Sequence, residues 1–289
     1  MCTYSLVFFI CLSCTSIRGN GEFFSESVQK NITVEDWSPR WENLMDGVDI
    51  GRGKIEKPRL AFYFLRVDLD AGFKVVLNKP GVEFGIIPSV FVSSFARQAG
   101  CIAAINASPF APVSAKEGEK RQIIGIFVTN GLLQQNPEPS FAAVIFKTDG
   151  SAEIVEQSRI NSSTLEHIEN AAGGFRIMLQ DGNIAKRVLE STARHPRTAI
   201  GLSDKGRILY MLVIDGRQSA SVGATEKETA SILSALGAKD GLNLDGGGST
   251  AFALNGKLIN HPVHRPFPLS LFSPDNERAV AVCIGIARL

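Results

Sequence analysis

Arg207-Ile-Leu-Tyr-Met-Leu-Val-Ile-Asp-Gly-Arg217 is a long apolar run that stops on an acid, a glycine and a base. A run of this length, bounded by charge, reads as a buried strand. Thr225-Glu-Lys-Glu228 follows as a capping box, whose hydroxyl and carboxylate satisfy the free amides of a helix start. Ile232, Leu233 and Leu236 give that helix an apolar stripe, and Gly237 stops it. The chain then returns through Gly241-Leu-Asn-Leu-Asp-Gly-Gly-Gly-Ser-Thr250, a second apolar run ending on an aspartate and glycine. Strand, helix and strand within roughly 40 residues predict a crossover that brings Asp215 and Asp245 to one edge of a sheet.

Upstream, Leu60-Ala-Phe-Tyr-Phe-Leu-Arg-Val-Asp-Leu-Asp70 and Phe73-Lys-Val-Val-Leu77 flank a short turn and predict a hairpin. Asp68 and Asp70 share a face there, which reads as solvated in preference to a metal pair. Helical spacing over 89–98 feeds a buried strand, Cys101-Ile-Ala-Ala-Ile105, that ends at Asn106. Asn106 there is either a site residue or a loop cap using its own backbone bonds. Strands are expected over 122–128 and 140–146, with an Asn130-Gly131 turn between them. A short helix is expected over 163–170, then a Gly173-Gly174 pair, Arg176 and another strand; 251–254 and 278–287 close the chain as strands. The sum is an α+β fold, a single domain over 41–289 with a mixed β-sheet core and flanking helices.

The 289 residues are 44% apolar and 20% charged, ordinary for a folded chain with a sizeable core. Thirty Lys and Arg against 29 Asp and Glu leave no global field for nucleic acid, so an anionic ligand has to be held by local arginines. Residues 1–14 carry an apolar run of signal-peptide length, too short to cross a bilayer as a helix. The run predicts export to the periplasm, the cell surface or the medium, although the first basic residue, Arg18, follows it. Leu12-Ser13-Cys14 is similar to the end of a lipoprotein signal, which makes an N-terminal lipid the expected membrane contact. Residues 15–40 read as a flexible arm; Asn31 and Asn161 head glycosylation sequons. Cys101 and Cys283 are either a disulfide or two buried thiols, and no zinc-spaced cysteine pair occurs in the body.

The Gly246-Gly247-Gly248-Ser249-Thr250 loop fits neither Gly-x4-Gly-Lys-Ser/Thr nor Gly-x-Gly-x-x-Gly. Its glycines allow close backbone approach to an anion beside the Asp245 carboxylate, or else they mark a solvent-exposed hairpin turn.

Pro196-Arg-Thr-Ala-Ile-Gly201, Val213-Ile-Asp-Gly-Arg217 and Leu242-Asn-Leu-Asp-Gly-Gly-Gly-Ser-Thr250, in this order and spacing, resemble the phosphodiester glycosidase family. Asn106-Ala-Ser-Pro-Phe110 and Glu277-Arg278 fit its pattern more loosely, since the family commonly has an Asn-Gly-Gly-Phe-Phe-like turn at the first of these. The resemblance implies cleavage of a carbohydrate phosphodiester at the anomeric carbon. The leaving phosphomonoester is a weak base, so the main tasks are stabilising an oxocarbenium-like sugar and holding phosphate. Arg197 and Arg217 are the first candidates for the phosphate, with Arg278 and Arg176 behind them, because a guanidinium donates two bonds to phosphate oxygens. A surface salt bridge is the preferred reading for Arg176. Asp215 and Asp245 serve as nucleophile and general acid/base, or one orients an arginine while the other binds sugar hydroxyls. Asn106, Gly246, Gly247, Gly248, Ser249 and Thr250 complete the expected substrate contacts. His195 orders its loop or transfers protons, and His261 and His264 read as solvated in preference to functional. No cofactor is required by this chemistry, while a divalent cation on one carboxylate is compatible with it. A noncatalytic glycan- or cell-wall-binding protein and a metal-dependent hydrolase of another ester are the competing classes.

Overall fold

The computed structural model describes residues 33–114, 116–203, 205–264 and 277–289. The expected signal over 1–14, the first part of the arm and the Asn31 sequon lie outside the described residues. The arm's last residues are docked: Val34 and Trp37 are buried, and Trp37 sets its ring edge-on to Phe62 at 4.9 Å and Phe64 at 5.5 Å.

The largest sheet runs in the order Glu42–Met45, Val48–Glu56, Arg59–Asp68, Ile208–Ile214, Arg197–Leu202, Asp240–Asn243, Arg176–Gln180 and Asn183–Ile184. A second sheet joins Lys257–Leu258, Phe252–Leu254, Ala103–Asn106, Cys283–Arg288 and Phe73–Leu77. A third, centred on Ile168–Gly174, and a small three-stranded one complete the described strands. The α+β expectation therefore holds only coarsely, because sheet dominates. The expected mixed sheet is not found: every strand pair among the described residues is antiparallel.

The reason is topological. Ile208–Ile214 and Asp240–Asn243 run parallel, joined by the capped helix Glu226–Leu236, but Arg197–Leu202 lies antiparallel between them. Ile214 sits opposite Arg197, and Asn243 opposite Ala199, so both strands still finish at the edge where Arg197–Leu202 begins. The shared edge expected for Asp215 and Asp245 is present.

The central strands are apolar on both sides because both faces are covered. Phe62, Phe64, Leu212 and Ile214 pack with Ile232, Leu233 and Leu236 of the helix. Their neighbours Tyr63, Leu65, Val67, Met211 and Val213 pack on Ile105, Phe252 and Ile284 of the second sheet. Alternation is thus invisible in the sequence, as expected for a sheet buried on two faces. The hairpin expected over 60–77 is also corrected. Arg59–Asp68 pairs with Val48–Glu56 and Ile208–Ile214, whereas Phe73–Leu77 pairs with Cys283–Arg288, so the turn at Gly72 carries the chain between sheets. Two further elements shrink or split: the short helix covers only Ser162–Leu165, and Gly125 at φ 85° divides the strand expected over 122–128. Cys101 and Cys283 are free and buried, and no disulfide joins them.

Candidate active site

The glycine-rich loop is folded back over the start of Arg197–Leu202. Leu244 N donates to Thr198 O at 3.0 Å, Gly247 N to Pro196 O at 2.9 Å, and Asp245 N to Ala107 O at 2.8 Å. The loop closes as a single 3-10 turn, Gly247–Ser249. It is a floor and not an exposed hairpin.

Each glycine there is required by a neighbour. A side chain on Gly246 would meet Pro196 O at 2.7 Å, and one on Gly248 would run into the Arg278 guanidinium. Gly247 adopts φ 62°, the left-handed region that favours glycine, and a Cβ there would lie 3.0 Å from Arg217 Nη2. Close approach therefore serves two arginines that lie over the backbone.

A cleft of about 310 Å³ opens above this floor, lined by Asp245, Gly246 and Gly247, by Arg176, Arg197 and Arg217, and by Phe175, His195 and Glu226. Asp245 keeps part of its surface open. Burial raises its carboxyl from 3.8 to about 6, against the opposing pull of the Ser249 hydroxyl, the Arg278 charge and the Gly246 amide. Arg217, exposed and at φ 60°, has no carboxylate partner among the described residues. Arg176 is exposed and stands 3.6 Å from Glu226 Oε2, as a surface pair would. His195 is exposed at the rim, and burial together with the Arg197 and Arg217 charges lowers its pKa.

The other expected site residues are placed differently. Arg197 reaches the cleft, but its guanidinium is already used: Nε donates to Ala224 O at 3.0 Å, Nη2 to Ala193 O at 3.1 Å, and Nη1 stands 3.6 Å from Glu226 Oε1. Burial lowers its pKa, with the Glu226 charge opposing. Asn106 is fully buried and does not line this cleft; Nδ2 donates to Asp245 O at 2.5 Å, and Oδ1 accepts from Thr198 Oγ1 and Ala251 N. Ser249 and Thr250 are 1% exposed, and Gly248 is buried with them. Ser249 Oγ accepts from Arg278 Nη1 at 3.3 Å, while Arg278 Nε donates to His264 Nδ1 at 2.9 Å. Asn106, Ser249, Arg278 and His264 thus hold the loop in shape.

Asp215 is corrected as well. It ends its strand at the expected edge but is 2% exposed and does not line the cleft. Its carboxylate accepts from Asn260 Nδ2 and His261 N at 3.0 Å each, and Oδ2 lies 3.3 Å from His261 Nδ1. The residue that sequence reasoning missed is Glu226. It directly follows the capping threonine, so its charge was absorbed by the helix-start reading; its position two steps before Glu228 and just after the Asp215 turn was the available signal. Phe175 was missed too, and its ring is braced edge-on by Phe141 at 5.4 Å. Among the described residues no group of three or more His, Cys, Asp or Glu is placed to hold a metal ion.

Comparison with known proteins bears on the family and the fold. The chain is 26% identical over 200 residues to the SPbeta prophage-derived uncharacterized protein YomE of Bacillus subtilis (strain 168). That match takes in 65% of this chain but only 30% of YomE, so the chain spans under a third of its relative. Among solved structures, a hypothetical protein from Synechocystis superposes with a TM-score of 0.64 at 14% identity, over 86% of this chain and 63% of that one. The catalytic domain of zebrafish N-acetylglucosamine-1-phosphodiester alpha-N-acetylglucosaminidase, auto-inhibited by its pro-peptide, superposes with a TM-score of 0.60 at 20% identity, over 90% and 86% of the two chains. At these identities the two structures establish the fold. The phosphodiester glycosidase family model matches residues 99–287, well over half the chain, and the chain belongs to that family.

Proposed function

We propose that this protein hydrolyses a sugar 1-phosphodiester, releasing free sugar and a phosphomonoester, and that its substrate is an exported or envelope glycan. The observation that carries the reading is Arg217: a guanidinium without a carboxylate partner among the described residues, lying over Gly247 in the same cleft as the partly open Asp245. A fixed guanidinium donates two parallel bonds to a phosphodiester, and these strengthen as charge develops on the leaving oxygen. Arg176, held loosely by Glu226 at the cleft wall, supplies a second cation to the same group. Asp245, mostly ionised at neutral pH with a pKa of about 6, faces the anomeric carbon and stabilises its developing positive charge. Phe175 offers an aromatic face to the sugar ring. Export rests on the apolar run over 1–14.

The zebrafish relative's name gives N-acetylglucosamine as its sugar, so an alkyl phosphodiester of N-acetylglucosamine 1-phosphate is the first substrate to offer. Chromatography is expected to show free sugar and alkyl phosphate in equal amounts, with turnover lost in Asp245→Asn. Binding without turnover by the natural protein would assign it instead to glycan binding, and turnover abolished by a chelator would assign it to metal-dependent hydrolysis.

A further inference from the structure

The proposed reaction leaves one step unassigned: hydrolysis requires a base for the water that attacks the anomeric carbon, while Asp245 is assigned to charge stabilisation and Glu226 stands against Arg176 and Arg197. The buried Asp215 and the exposed His261 form an arrangement suited to that step. Asp215 Oδ2 lies 3.3 Å from His261 Nδ1, and His261 N donates to Asp215 Oδ1 at 3.0 Å, so one carboxylate fixes both the backbone and the ring of the histidine. Asn260 Nδ2 fixes the carboxylate in turn. The His261 side chain is 73% exposed while the Asp215 side chain is 2% exposed, and with Nδ1 engaged the ring is left to present Nε2 outward. A carboxylate that holds the imidazole by one nitrogen sets the tautomer and leaves the other nitrogen free to take a proton.

The segment that carries His261 borders the glycine-rich loop. Asn260 Nδ2 donates to Thr250 O at 3.3 Å, and Gln218, the residue after Arg217, donates from Nε2 to His261 O at 3.1 Å. At the other end His264 accepts from Arg278, whose second contact is Ser249. His261 therefore sits against the residue that follows the phosphate arginine, and its neighbour Asn260 is bonded to the end of the loop that follows Asp245.

We infer that His261 is the general base of the proposed reaction and Asp215 its positioning residue, an assignment that rests on the phosphodiester reading above. Water oxygen bonds to the anomeric carbon as the bond from that carbon to the phosphate oxygen breaks. The electron pair leaves on the phosphate, and the water's proton passes to His261 Nε2. Among the described residues, the groups facing the imidazole are the Asp215 carboxylate, whose hydrogen bond raises the pKa of His261, and the Tyr63 hydroxyl, 3.4 Å from Nδ1. Burial first, and then the Asp215 charge, push Tyr63 up to about 12 against the opposing Arg52 charge, so it stays neutral in the working range.

The test uses the full chain, an alkyl phosphodiester of N-acetylglucosamine 1-phosphate, and the variants His261→Ala, His261→Gln and Asp215→Asn. His261→Ala is expected to lose about 10²–10⁴-fold in kcat with KM little changed, and to regain part of it with added imidazole. His261→Gln is expected to be equally slow. In Asp215→Asn the acid limb of the kcat profile is expected to move to lower pH, because the ring loses the charge that favours its protonated form. An active natural protein whose His261→Ala variant keeps kcat within threefold overturns the assignment alone, as does a loss that imidazole leaves unrelieved while the Asp215→Asn profile stays put. A natural protein that turns over no sugar phosphodiester overturns the phosphodiester reading and this assignment with it.

Discussion

Asn106 Nδ2 donates to the main-chain carbonyl of Asp245 at 2.5 Å, tying the end of a strand in the second sheet to the loop that leaves the largest sheet. The same side chain accepts from Thr198 Oγ1 at 2.7 Å and Ala251 N at 3.1 Å, so one fully buried amide clamps both ends of the loop from Gly246 to Thr250. Asn106→Ala strands two donors and an acceptor without water, and each orphaned buried group costs about 1–3 kcal/mol. A loss of about 2–5 kcal/mol in urea unfolding is expected, together with a fall in turnover as the loop loosens. Unchanged stability would remove Asn106 from this role.

Asp245 carries a stability signature of opposite sign. Its folded pKa of about 6 lies above its ordinary 3.8, so the folded state holds the proton more tightly than the unfolded chain. The contribution is therefore complete below pH 3.8 and is lost as pH rises through about 6. Ionising the group in place costs about 1–3 kcal/mol, discounted for the part of it open to water. Asp245→Asn removes that cost and is expected to melt higher than the natural protein at pH 8, with the gain fading by about pH 4, where both forms are neutral. Equal melting temperatures at pH 8 would show that the carboxylate is not held against its ionisation.

The sequence made the local elements readable where chemistry is local. The capping box at Thr225 forms as expected, with Thr225 Oγ1 accepting from Glu228 N at 3.1 Å and Glu228 Oε2 accepting from Thr225 N at 3.0 Å. Gly237 at φ 108° ends that helix, and Asn130 with Gly131 turns its hairpin at positive φ. Pairing partners were not readable, since Phe73–Leu77 is followed into the sheet by a strand more than 200 residues away. At the site, glycine, arginine and aspartate were correctly gathered at one edge, but exposure sorted them afterwards. Asp215 and Asn106 are polar residues at strand ends like Asp245, and only the packing of the 260–264 segment and the second sheet over them turns them inward.

Gly248 and Arg278 are expected to be coupled. Arg278 lies where a Gly248 side chain would go, and it bridges His264 and Ser249 from that position. Gly248→Ala forces the guanidinium away and breaks both contacts, so it should damage turnover about as much as Arg278→Ala. In the double variant the second change has nothing left to displace. Its effect is expected to fall short of additivity by about 0.5–3 kcal/mol in transition-state stabilisation, read from kcat/KM. Strict additivity would mean that the glycine serves something other than the arginine.

The two arginines that the sequence offered equally for phosphate are expected to separate cleanly on substitution. Arg197 is 8% exposed and holds two carbonyls and Glu226, so Arg197→Met leaves a buried carboxylate with Arg176 at 3.6 Å and the Asn243 amide at 3.3 Å, and orphans the carbonyls of Ala193 and Ala224. Breaking a buried pair from one side costs about 3–5 kcal/mol, and the variant should unfold at markedly lower urea. Arg217 is exposed and without a carboxylate partner among the described residues, so Arg217→Met is expected to change stability by less than about 0.5 kcal/mol. Its loss should appear against substrate, as a rise of about tenfold or more in KM for the phosphodiester, the size of one charge-assisted contact. A stable Arg197→Met with raised KM, beside an unstable Arg217→Met, would reverse the two roles and move the phosphate to the other side of the cleft.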